Sequence, residues 1–388
     1  MNKLPIKIFS SSVFKRELPY NFDESNSLFD FFKEMLLEDV PEIWLYTFHN
    51  VTVDVNSVIY NNDGTICYDI FDFCLDLKYR RIEEAEKLSL SKLRTPRGFL
   101  QIIKKKIANS LNNNVIQTQY QKKYYLITDD RANNNFFHWI NEAMLRLVSL
   151  GGLPEESILL VPEECWKYEY VRNSLKVFNI AEDQICIIPK NGKVKLKQLY
   201  AVSCSMHAPG ASNYPLMYQL KKKIEDFYVK QLTIDLGDKI YISREKSKHR
   251  KVANEDEVLK YLTSLGFTKI CAEDYSLIEL ISIMKHTKYC IGMVSAGLTH
   301  IMFMQQGGFI LELIHEDFIC LSEDIWPGGY TEKYAGVHYY SLANALGLKY
   351  LYQPSNRVHN SNYIPADDIK VDMLKLQQNV ELMLLANA

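Results

Sequence analysis

The stretch KIYISREKSKHRKVANEDEVLKYLTSLGFTKICAED, residues 239–274, decides the fold. It begins with a short apolar run, KIYISR, and continues through a basic loop into NEDEVLKYLTSLGF (254–267). That segment has helical spacing, an Asn at its start and an acidic first turn. TKICAED (268–274) is a second short apolar run. Strand, helix and strand in this order predict a βαβ unit, and hence a parallel sheet covered by helices.

The same alternation continues on both sides of this stretch. Short apolar runs of strand length alternate with helical segments from residue 122 to residue 314. The pattern predicts an α/β fold made of two doubly wound parallel sheets, joined near residue 235, with an amphipathic helix at the end of the chain. The predicted strands are 42–60 (a hairpin), 122–130, 157–164, 184–190, 196–204, 239–244, 268–274, 288–293 and 308–314.

Composition narrows the class of protein. The chain has 388 residues, enough for about two domains, and a formal net charge of −2, which gives no overall positive field to attract nucleic acid. Its eight cysteines form no C-x-x-C pair, so free thiols in a reducing compartment are expected rather than a zinc site. The start of the sequence has no signal-peptide pattern, and no window resembles a membrane span. We therefore expect a cytoplasmic protein.

Three features lie where predicted strands of the second half end, the place where open α/β sheets bind ligands. The first is the loop after KIYIS, in which Arg244 and Arg250 stand among lysines. Arginines at a strand end suit an anionic ligand such as a phosphate. A solvated basic loop is the alternative interpretation.

The second feature is CIGMVSAGLTHIMF (290–303). A buried strand runs into Gly292, and Ser295, Ala296 and Gly297 then begin a predicted helix. Small residues allow a ligand to approach the backbone, and free N–H groups at a helix start bind pyrophosphate. Leu298, Thr299 and His300 would follow in the first turns, the last two with side chains able to donate to the ligand. A tight strand–helix turn without a ligand is equally consistent.

The third feature is Glu312, the one carboxylate in the apolar strand FILELI. A buried carboxylate needs a partner. Ribose hydroxyls of a nucleotide would provide one, and a structural Arg or backbone pair would do so as well.

In the first half, NNNFFHWINEAMLRL (133–147) places His138 and Glu142 four residues apart on one helical face. Such a pair can act as a general base with an orienting acid, or form a plain surface hydrogen bond. Trp139 heads the neighbouring apolar stripe, which would face a core. No third metal ligand follows the pair, and the chain contains no D-x-D motif, so we expect neither a metal ion nor another cofactor.

Taken together, three segments resemble glycosyltransferase family 61: NNFFHWINEAMLRL (134–147), residues 241–267 and IGMVSAGLTHIMFMQQGGFILELI (291–314). They occur in the family's order, as an H-W helix, a Y-[IV]-S-R strand followed by R-x-[IV]-x-N-E, and a late G-A-G-L-T turn before a strand with Glu. The matching residues are His138, Trp139, Glu142, Arg244, Arg250, Asn254, Glu255, Gly292, Ala296, Gly297, Leu298, Thr299 and Glu312.

The resemblance implies a GT-B architecture, in which two Rossmann-like domains face each other across a cleft. It also implies inverting, metal-independent transfer of a sugar from a nucleotide donor, often UDP-linked. On this basis residues 1–234, including a linker helix at 215–230, form the acceptor-side domain, and 235–360 bind the nucleotide sugar. Residues 361–388 form a helix that packs back on a domain surface.

The resemblance also assigns roles to residues. Glu142 or His138 is the expected base, with Glu142 preferred. Arg244, Arg250, the Ser295–His300 turn and Glu312 are expected to bind the donor. Asp130, Asn135 and Trp139 are expected on the acceptor side.

One departure concerns the turn, because Val294 and Ser295 replace a family histidine and glycine, and His300 replaces an asparagine. If the missing histidine serves the donor phosphate, His300 is the expected substitute.

The expected pathway is the synthesis of a surface glycan such as capsule or lipopolysaccharide, in a bacterial member of the family. A non-catalytic nucleotide- or glycan-binding subunit of a synthase complex is the alternative, and a sugar-nucleotide epimerase of similar architecture is a third possibility. Lysine triplets in KKKIANS (104–110) and KKKIEDF (221–227) also raise peripheral contact with an anionic membrane as a hypothesis, against a solvated helix face.

Overall fold

The computed structural model describes residues 4–26, 30–70, 114–118, 122–205, 213–315, 338–358 and 366–386. Its strands, in chain order, are β1 (Ile6–Phe9), β2 (Ser12–Lys15), β3 (Leu37–Val40), β4 (Ile43–Asp54), β5 (Ile59–Tyr60), β6 (Asn114–Gln117), β7 (Lys123–Leu126), β8 (Ser157–Pro162), β9 (Ile185–Ile188), β10 (Gly192–Val202), β11 (Lys239–Ile242), β12 (Thr268–Ile270), β13 (Tyr289–Met293), β14 (Phe309–His315), β15 (Lys349–Val358) and β16 (Asp368–Lys370).

The α-helices are α1 (Phe31–Glu34), α2 (Phe136–His138), α3 (Leu145–Ser149), α4 (Glu163–Trp166), α5 (Glu169–Lys176), α6 (Tyr214–Tyr228), α7 (Glu255–Ser264), α8 (Leu277–His286), α9 (His338–Ala345) and α10 (Met373–Leu385). A π-helix covers Trp139–Met144, and 3₁₀-helices cover Asp130–Asn133, Glu182–Gln184, Val229–Gln231, Ala272–Asp274 and Ala296–Phe303. The sequence predicted ordinary helices at 139–144 and 296–303, so both segments are wound differently from expectation.

The chain divides into two compact units, which are discontinuous in sequence. The first comprises Met1–Ser11 and Pro41–His207, and the second comprises Ser12–Val40 and Ala208–Ala388. This division differs from the expected boundary at 234/235. Helix α6 falls in the second unit because it packs against α9 and the 3₁₀-helix Ala296–Phe303, and because Lys221 on α6 donates to the Met304 carbonyl oxygen at 2.5 Å.

The sheet of the first unit has the order β1-β4-β10-β7-β8-β9, with β5 beside β4 and β6 beside β10. Strands β7, β8, β9 and β10 pair in parallel, whereas β4 pairs antiparallel with β1, β5 and β10. The unit therefore contains a mixed sheet, and the expectation of a purely parallel sheet in this half is wrong. Long β4 causes the difference, since it runs along β10 from Asp54 opposite Lys193 to Leu45 opposite Val202.

The second unit contains a six-stranded sheet of order β12-β11-β13-β14-β15-β16. All neighbouring pairs are parallel except β15 with β16. Numbered within the unit, its five parallel strands follow the order 2-1-3-4-5, which is a doubly wound arrangement. The prediction of a parallel α/β sheet is confirmed for this half.

The segment Ser12–Val40 completes the second unit. Strands β2 and β3 form an antiparallel pair, and α1 buries Phe32 fully against Tyr340 and Tyr352, with ring centroids 4.8 and 5.0 Å apart. At the other end of the chain, α10 packs on β14 and β15 through buried Leu376, Val380 and Met383.

Two general expectations can be compared with the described residues. The six cysteines among them are free thiols. No helix in the described ranges combines the length and the apolar character that a bilayer crossing requires. The lysine triplet at 104–110 lies outside the described residues.

Candidate functional site

The topology of the second sheet marks a ligand site at one position. Strand β11 lies between β12 and β13, so the order of strands reverses there, and such a switch point opens a crevice at the carboxyl ends of the two central strands. Ile242 on β11 is in register with Gly292 on β13. Arg244 lies two residues after Ile242, and Ser295 lies three residues after Gly292. The basic loop and the small-residue turn therefore begin at the ends of neighbouring strands.

Polar residues of the family-like motif brace the basic loop from within. Glu255 Oε1 accepts hydrogen bonds from the Tyr241 and Ser243 hydroxyls, both at 2.8 Å. The Asn254 side chain bonds the backbone of Val371 in both directions, at 2.9 Å each, and does not form the helix cap that the sequence predicted. Asn254 and Glu255 therefore fix the path of the loop.

Arg244 is also tied to this loop. Its Nε donates to the Arg250 carbonyl oxygen at 2.7 Å, and its Nη2 donates to Ser247 Oγ at 2.7 Å and to the His249 carbonyl oxygen at 2.9 Å. Burial, and then the neighbouring charge of Arg250, lower the pKa of Arg244 to about 10, so the guanidinium remains charged at neutral pH. Arg244 thus shapes the loop and contributes positive charge from beneath it.

Arg250 has an unusual backbone conformation. Its φ is +59°, in the left-handed region that side-chain-bearing residues seldom adopt, and its N–H donates to the Ala366 carbonyl oxygen at 3.1 Å. Its charge acts on both Arg244 and Tyr339, so the two guanidiniums lie near each other and near α9. Two neighbouring arginines at a sheet switch point favour an anion.

Tyr339 joins the arginine loop to the small-residue turn. Its hydroxyl donates to the Ser295 carbonyl oxygen and lies 3.2 Å from Thr299 Oγ1. Burial is the main cause that raises the pKa of Tyr339, so it stays a hydroxyl donor. The sequence analysis did not identify Tyr339, because it lies 40 residues after Thr299 and carries no local signal.

The turn exposes mainly backbone. Ala296 and Gly297 are half-buried, whereas Ser295, Leu298 and Thr299 are buried. Leu298 folds down onto Gly292, where a Cβ would lie 3.0 Å from Leu298 Cδ1. The surface that the turn can offer to a ligand is therefore its first amides.

His300 and Glu312 lie below this surface. His300 is 6 % exposed, and burial lowers its pKa to about 3, so the imidazole is neutral. Glu312 is fully buried and accepts a hydrogen bond from the Tyr350 hydroxyl at 2.6 Å. Burial raises the pKa of Glu312 to about 8, against a smaller lowering by Tyr350. The expected ribose contact of Glu312 thus lacks an exposed carboxyl in this structure.

In the first unit, His138 lies at the end of two short helical turns that follow β7. Asp129 follows β7 and accepts from the Arg131 N–H at 3.1 Å, which starts the 3₁₀-helix Asp130–Asn133. Asn135 Oδ1 accepts from the Phe137 N–H at 3.0 Å and caps α2. Asn135 is therefore a helix cap, and the half-buried Asp130 lies beside it on the same entry. The π-helix Trp139–Met144 follows, a winding that is frequent at functional sites.

His138 and Glu142 are in contact, as their spacing predicted. His138 Nδ1 lies 2.5 Å from Glu142 Oε1, and Arg131 Nη2 lies 2.9 Å from Glu142 Oε2. The Glu142 side chain has no exposed surface, whereas 19 % of the His138 side chain is exposed. Of the pair, only His138 can contact a substrate.

The pair of His138 and Glu142 is connected through Arg131 to two further buried charges, Asp129 and Arg146. Asp129 Oδ2 accepts from Arg131 Nη2 at 3.3 Å and from Arg146 Nη2 at 3.1 Å. Burial alone would raise the pKa of Asp129, but Arg131 and Arg146 outweigh it and hold the pKa well below its usual value. Arg146 also donates to the carbonyl oxygens of Ile127 and Ser203, at 2.9 and 3.2 Å, which follow β7 and β10. Asp129, Arg131 and Arg146 were not among the predicted site residues.

Trp139 is packed inside the first unit. It is fully buried, and its Nε1 donates to Ser174 Oγ at 2.8 Å. Its ring therefore packs in the core, as its place on the apolar stripe predicted, and presents no face to a sugar in this structure.

No group of three or more His, Cys, Asp or Glu side chains that could hold a metal ion occurs in the described part of the chain.

A family model described as Glycosyltransferase 61 matches residues 136–311, which include His138, Glu142, the arginine loop and the small-residue turn. Over this region, which is just under half of the chain, the protein is similar to glycosyltransferase family 61. The match supports a glycosyltransferase, an enzyme class that takes a nucleotide-sugar donor and a glycan acceptor in general. Asp129 and Arg131 precede the matched region, and Glu312 and Tyr339 follow it. No curated protein matches the chain.

Proposed function

We propose that this glycosyltransferase is inverting and metal-independent, and that it transfers a hexose or pentose from a UDP-linked donor to a glycan acceptor. The observation that carries the proposal is the cluster of Arg244, Arg250, Tyr339 and the Ser295–Thr299 turn at the switch point of the second sheet. We further propose that the two units are the two halves of a GT-B enzyme, the first for the acceptor and the second for the donor.

The donor role follows from charge. Transfer of a glycosyl group leaves a nucleoside diphosphate, whose bridging oxygen gains negative charge as the glycosidic bond breaks. Arg250, supported by the charge of Arg244 and by the amides at Ala296 and Gly297, would meet this charge without a divalent cation. Hydrogen bonds hold the Arg244 side chain and the Arg250 backbone in place, so this part of the loop needs little reorganisation when the donor binds.

The base role goes to His138. We infer that His138 Nδ1–H donates a hydrogen bond to Glu142 Oε1, so that Nε2 is left with a lone pair. In the proposed step, Nε2 takes the proton of the acceptor hydroxyl while that oxygen bonds to the anomeric carbon. The bond from this carbon to the diphosphate oxygen breaks on the opposite face, so the anomeric configuration inverts. Glu142 was the preferred base from sequence, but its full burial supports His138 instead.

The cellular setting remains a proposal. We propose a cytoplasmic enzyme of capsule or lipopolysaccharide synthesis that touches the inner face of the membrane. On α6, Lys222 and Lys223 are exposed, whereas Lys221 is half-buried and contacts Met304 and Glu225. Salt-dependent flotation with anionic vesicles, lost in a Lys222→Ala/Lys223→Ala variant, would support this contact, and no flotation at low salt would refute it.

The decisive experiment combines binding and turnover. UDP, GDP and dTDP affinities are measured by calorimetry, and release of nucleoside diphosphate from a panel of sugar nucleotides is followed with and without EDTA. Arg250→Ala should weaken nucleotide affinity about 10- to 100-fold, because charge-assisted hydrogen bonds are lost. Lys248→Ala, an exposed cation of the same loop, is the matched control and should change the affinity less than about twofold. A strict metal requirement, or a product with retained configuration, would refute the proposal.

The second candidate is a non-catalytic nucleotide-binding subunit of a synthase complex, favoured by the turn, where Val294 and Ser295 replace the family's histidine and glycine and Val294 is 2 % exposed. Tight UDP binding, abolished by Arg250→Ala, together with no turnover of any donor in the panel would support this candidate. Conversion of a sugar nucleotide without an acceptor would instead indicate an epimerase.

A further inference from the structure

Each carboxylate oxygen of Glu142 faces a different partner. Oε1 lies 2.5 Å from His138 Nδ1, and Oε2 lies 2.9 Å from Arg131 Nη2. The side chain is fully buried, so no solvent molecule can replace either partner from outside. Arg131 is therefore the ion-pair partner of Oε2, the carboxylate oxygen that does not contact His138.

Arg131 is itself held in place. Asp129 accepts from the Arg131 backbone N–H at 3.1 Å, from its Nε at 3.4 Å and from its Nη2 at 3.3 Å, and Asp129 is fixed in turn by Arg146 at 3.1 Å. The order Arg146, Asp129, Arg131, Glu142 alternates in sign, and two cations balance two anions. The oxygens of a carboxylate are acceptors, so Glu142 Oε1 can accept the hydrogen bond of an imidazole N–H.

We propose that Arg131 is a positioning residue that acts through Glu142 and selects the tautomer of His138 that carries its proton on Nδ1. Arg131 orients Glu142, Glu142 Oε1 accepts a hydrogen bond from the Nδ1–H group, and Nε2 keeps its lone pair. The catalytic consequence rests on the proposed role of His138 as the base. The structural consequence, a fixed tautomer, does not.

The physical reason is the full burial of the Glu142 side chain. If Arg131 is replaced by methionine, the buried Glu142 carboxylate loses the partner of Oε2 and keeps His138 as the partner of Oε1. Such a group either takes a proton or rotates toward another donor, because an uncompensated buried charge is unfavourable. In both cases it ceases to be the fixed acceptor of the Nδ1 proton, and the two neutral tautomers of His138 become mixed.

The first measurement does not depend on activity. Selectively ¹⁵N-labelled histidine gives distinct signals for protonated and bare ring nitrogens, and His138→Gln assigns the signal of His138 among the nine histidines. The full-length wild type should show one tautomer, with the proton on Nδ1. Arg131→Met should show a mixture, and Arg131→Lys, which keeps the charge, should restore most of the wild-type signal. Arg172→Met, which removes an arginine bonded only to the Trp166 carbonyl oxygen among the described contacts, should leave the signal unchanged.

The second measurement is a double-mutant cycle on donor turnover. Because a general base contributes about 10²- to 10⁴-fold, Arg131→Met should lower kcat about 10- to 100-fold, with KM for the donor changed by less than about twofold. In a Glu142→Gln background, Arg131→Met should add little, since the route through Glu142 is already cut. The double variant also removes the unpaired charge, which keeps the test open if Arg131→Met alone folds poorly.

Two results would overturn the inference: an unchanged His138 signal in Arg131→Met, or effects of Arg131→Met and Glu142→Gln that multiply. Failure of the proposed function looks different. If His138→Gln retains full turnover, His138 is not the base, while the nitrogen signals still decide whether Arg131 controls the ring.

Discussion

Glutamate 312 makes the stability of the second unit depend on pH in an unusual direction. Its pKa is raised from 4.5 to about 8 because the carboxyl is fully buried in β14. Below pH 4.5 the carboxyl is protonated in both the folded and the unfolded chain, and its contribution is fully present. As the pH rises toward 8, the unfolded chain releases the proton while the folded chain keeps it, so unfolding becomes more favourable. A difference of about 3.5 pKa units at ~1.4 kcal/mol each lowers the free energy of unfolding by up to about 5 kcal/mol.

The variant Glu312→Gln isolates this effect. Glutamine keeps an oxygen for the Tyr350 hydroxyl but carries no titrating proton. Urea unfolding of both proteins, followed by circular dichroism at pH 5, 6, 7 and 8, should show the wild type losing stability relative to the variant as the pH rises. By pH 8 most of the ~5 kcal/mol should have been lost.

An exposed carboxylate provides the control. The hydrogen bond from Lys167 lowers the pKa of Glu164, so Glu164→Gln should show a small dependence of opposite sign, with stability lost as the pH falls. If the free energies of unfolding of the wild type and Glu312→Gln differ by a constant amount from pH 5 to pH 8, Glu312 has the same charge in the folded and the unfolded chain. The reasoning from burial would then be refuted.

Three further predictions concern packing and accessibility. Gly292→Ala should lower stability by about 1–3 kcal/mol and weaken nucleotide binding, because the new Cβ meets Leu298 at 3.0 Å, whereas Gly297→Ala, with contacts of 3.5 Å or more, should leave the melting temperature nearly unchanged. Asn254→Ala should cost about 1–3 kcal/mol in urea unfolding, since two hydrogen bonds to backbone are lost, and an unchanged midpoint would contradict the bracing role. Burial raises the pKa of Cys165 to about 12, so iodoacetamide at pH 8 should leave this thiol unmodified in the native protein, and rapid alkylation detected by mass spectrometry would show that it is accessible.

Much of the second unit could be predicted from its sequence because the signals there are local. Compact apolar runs such as KYCIGM and FILELI have the length of buried strands, and strand ends in a parallel sheet meet at one edge. This rule predicts that the arginine loop lies beside the small-residue turn. The type of helix was not predictable, because eight residues at 296–303 do not distinguish a 3₁₀-helix from an α-helix by periodicity.

The partners that the sequence did not reveal are distant along the chain. Tyr339 on α9 donates a hydrogen bond to the Ser295 carbonyl oxygen. Strand β10 pairs antiparallel with β4, which lies about 150 residues earlier in the chain. The sequence around a hydroxyl or an edge strand does not indicate which distant residue it will contact. Only the tertiary structure identifies that partner. Arg131 is a different case: it lies seven residues before His138, but at the entry of a helix it resembles any surface arginine.

The interleaved order of the units has a consequence for synthesis on the ribosome. Residues 12–40 leave the exit tunnel well before their partners, because the aromatic ring and the hydroxyl that Phe32 and Arg16 contact, on Tyr340 and Ser341, are made some 300 residues later. The hydrophobic side chains of residues 12–40 therefore have no packing partners while the other unit is translated. Exposed hydrophobic segments of this kind are what chaperones bind. A gene fragment that begins at codon 208 would encode the second unit without its own Phe32, whereas a permuted gene that appends codons 12–40 would supply it.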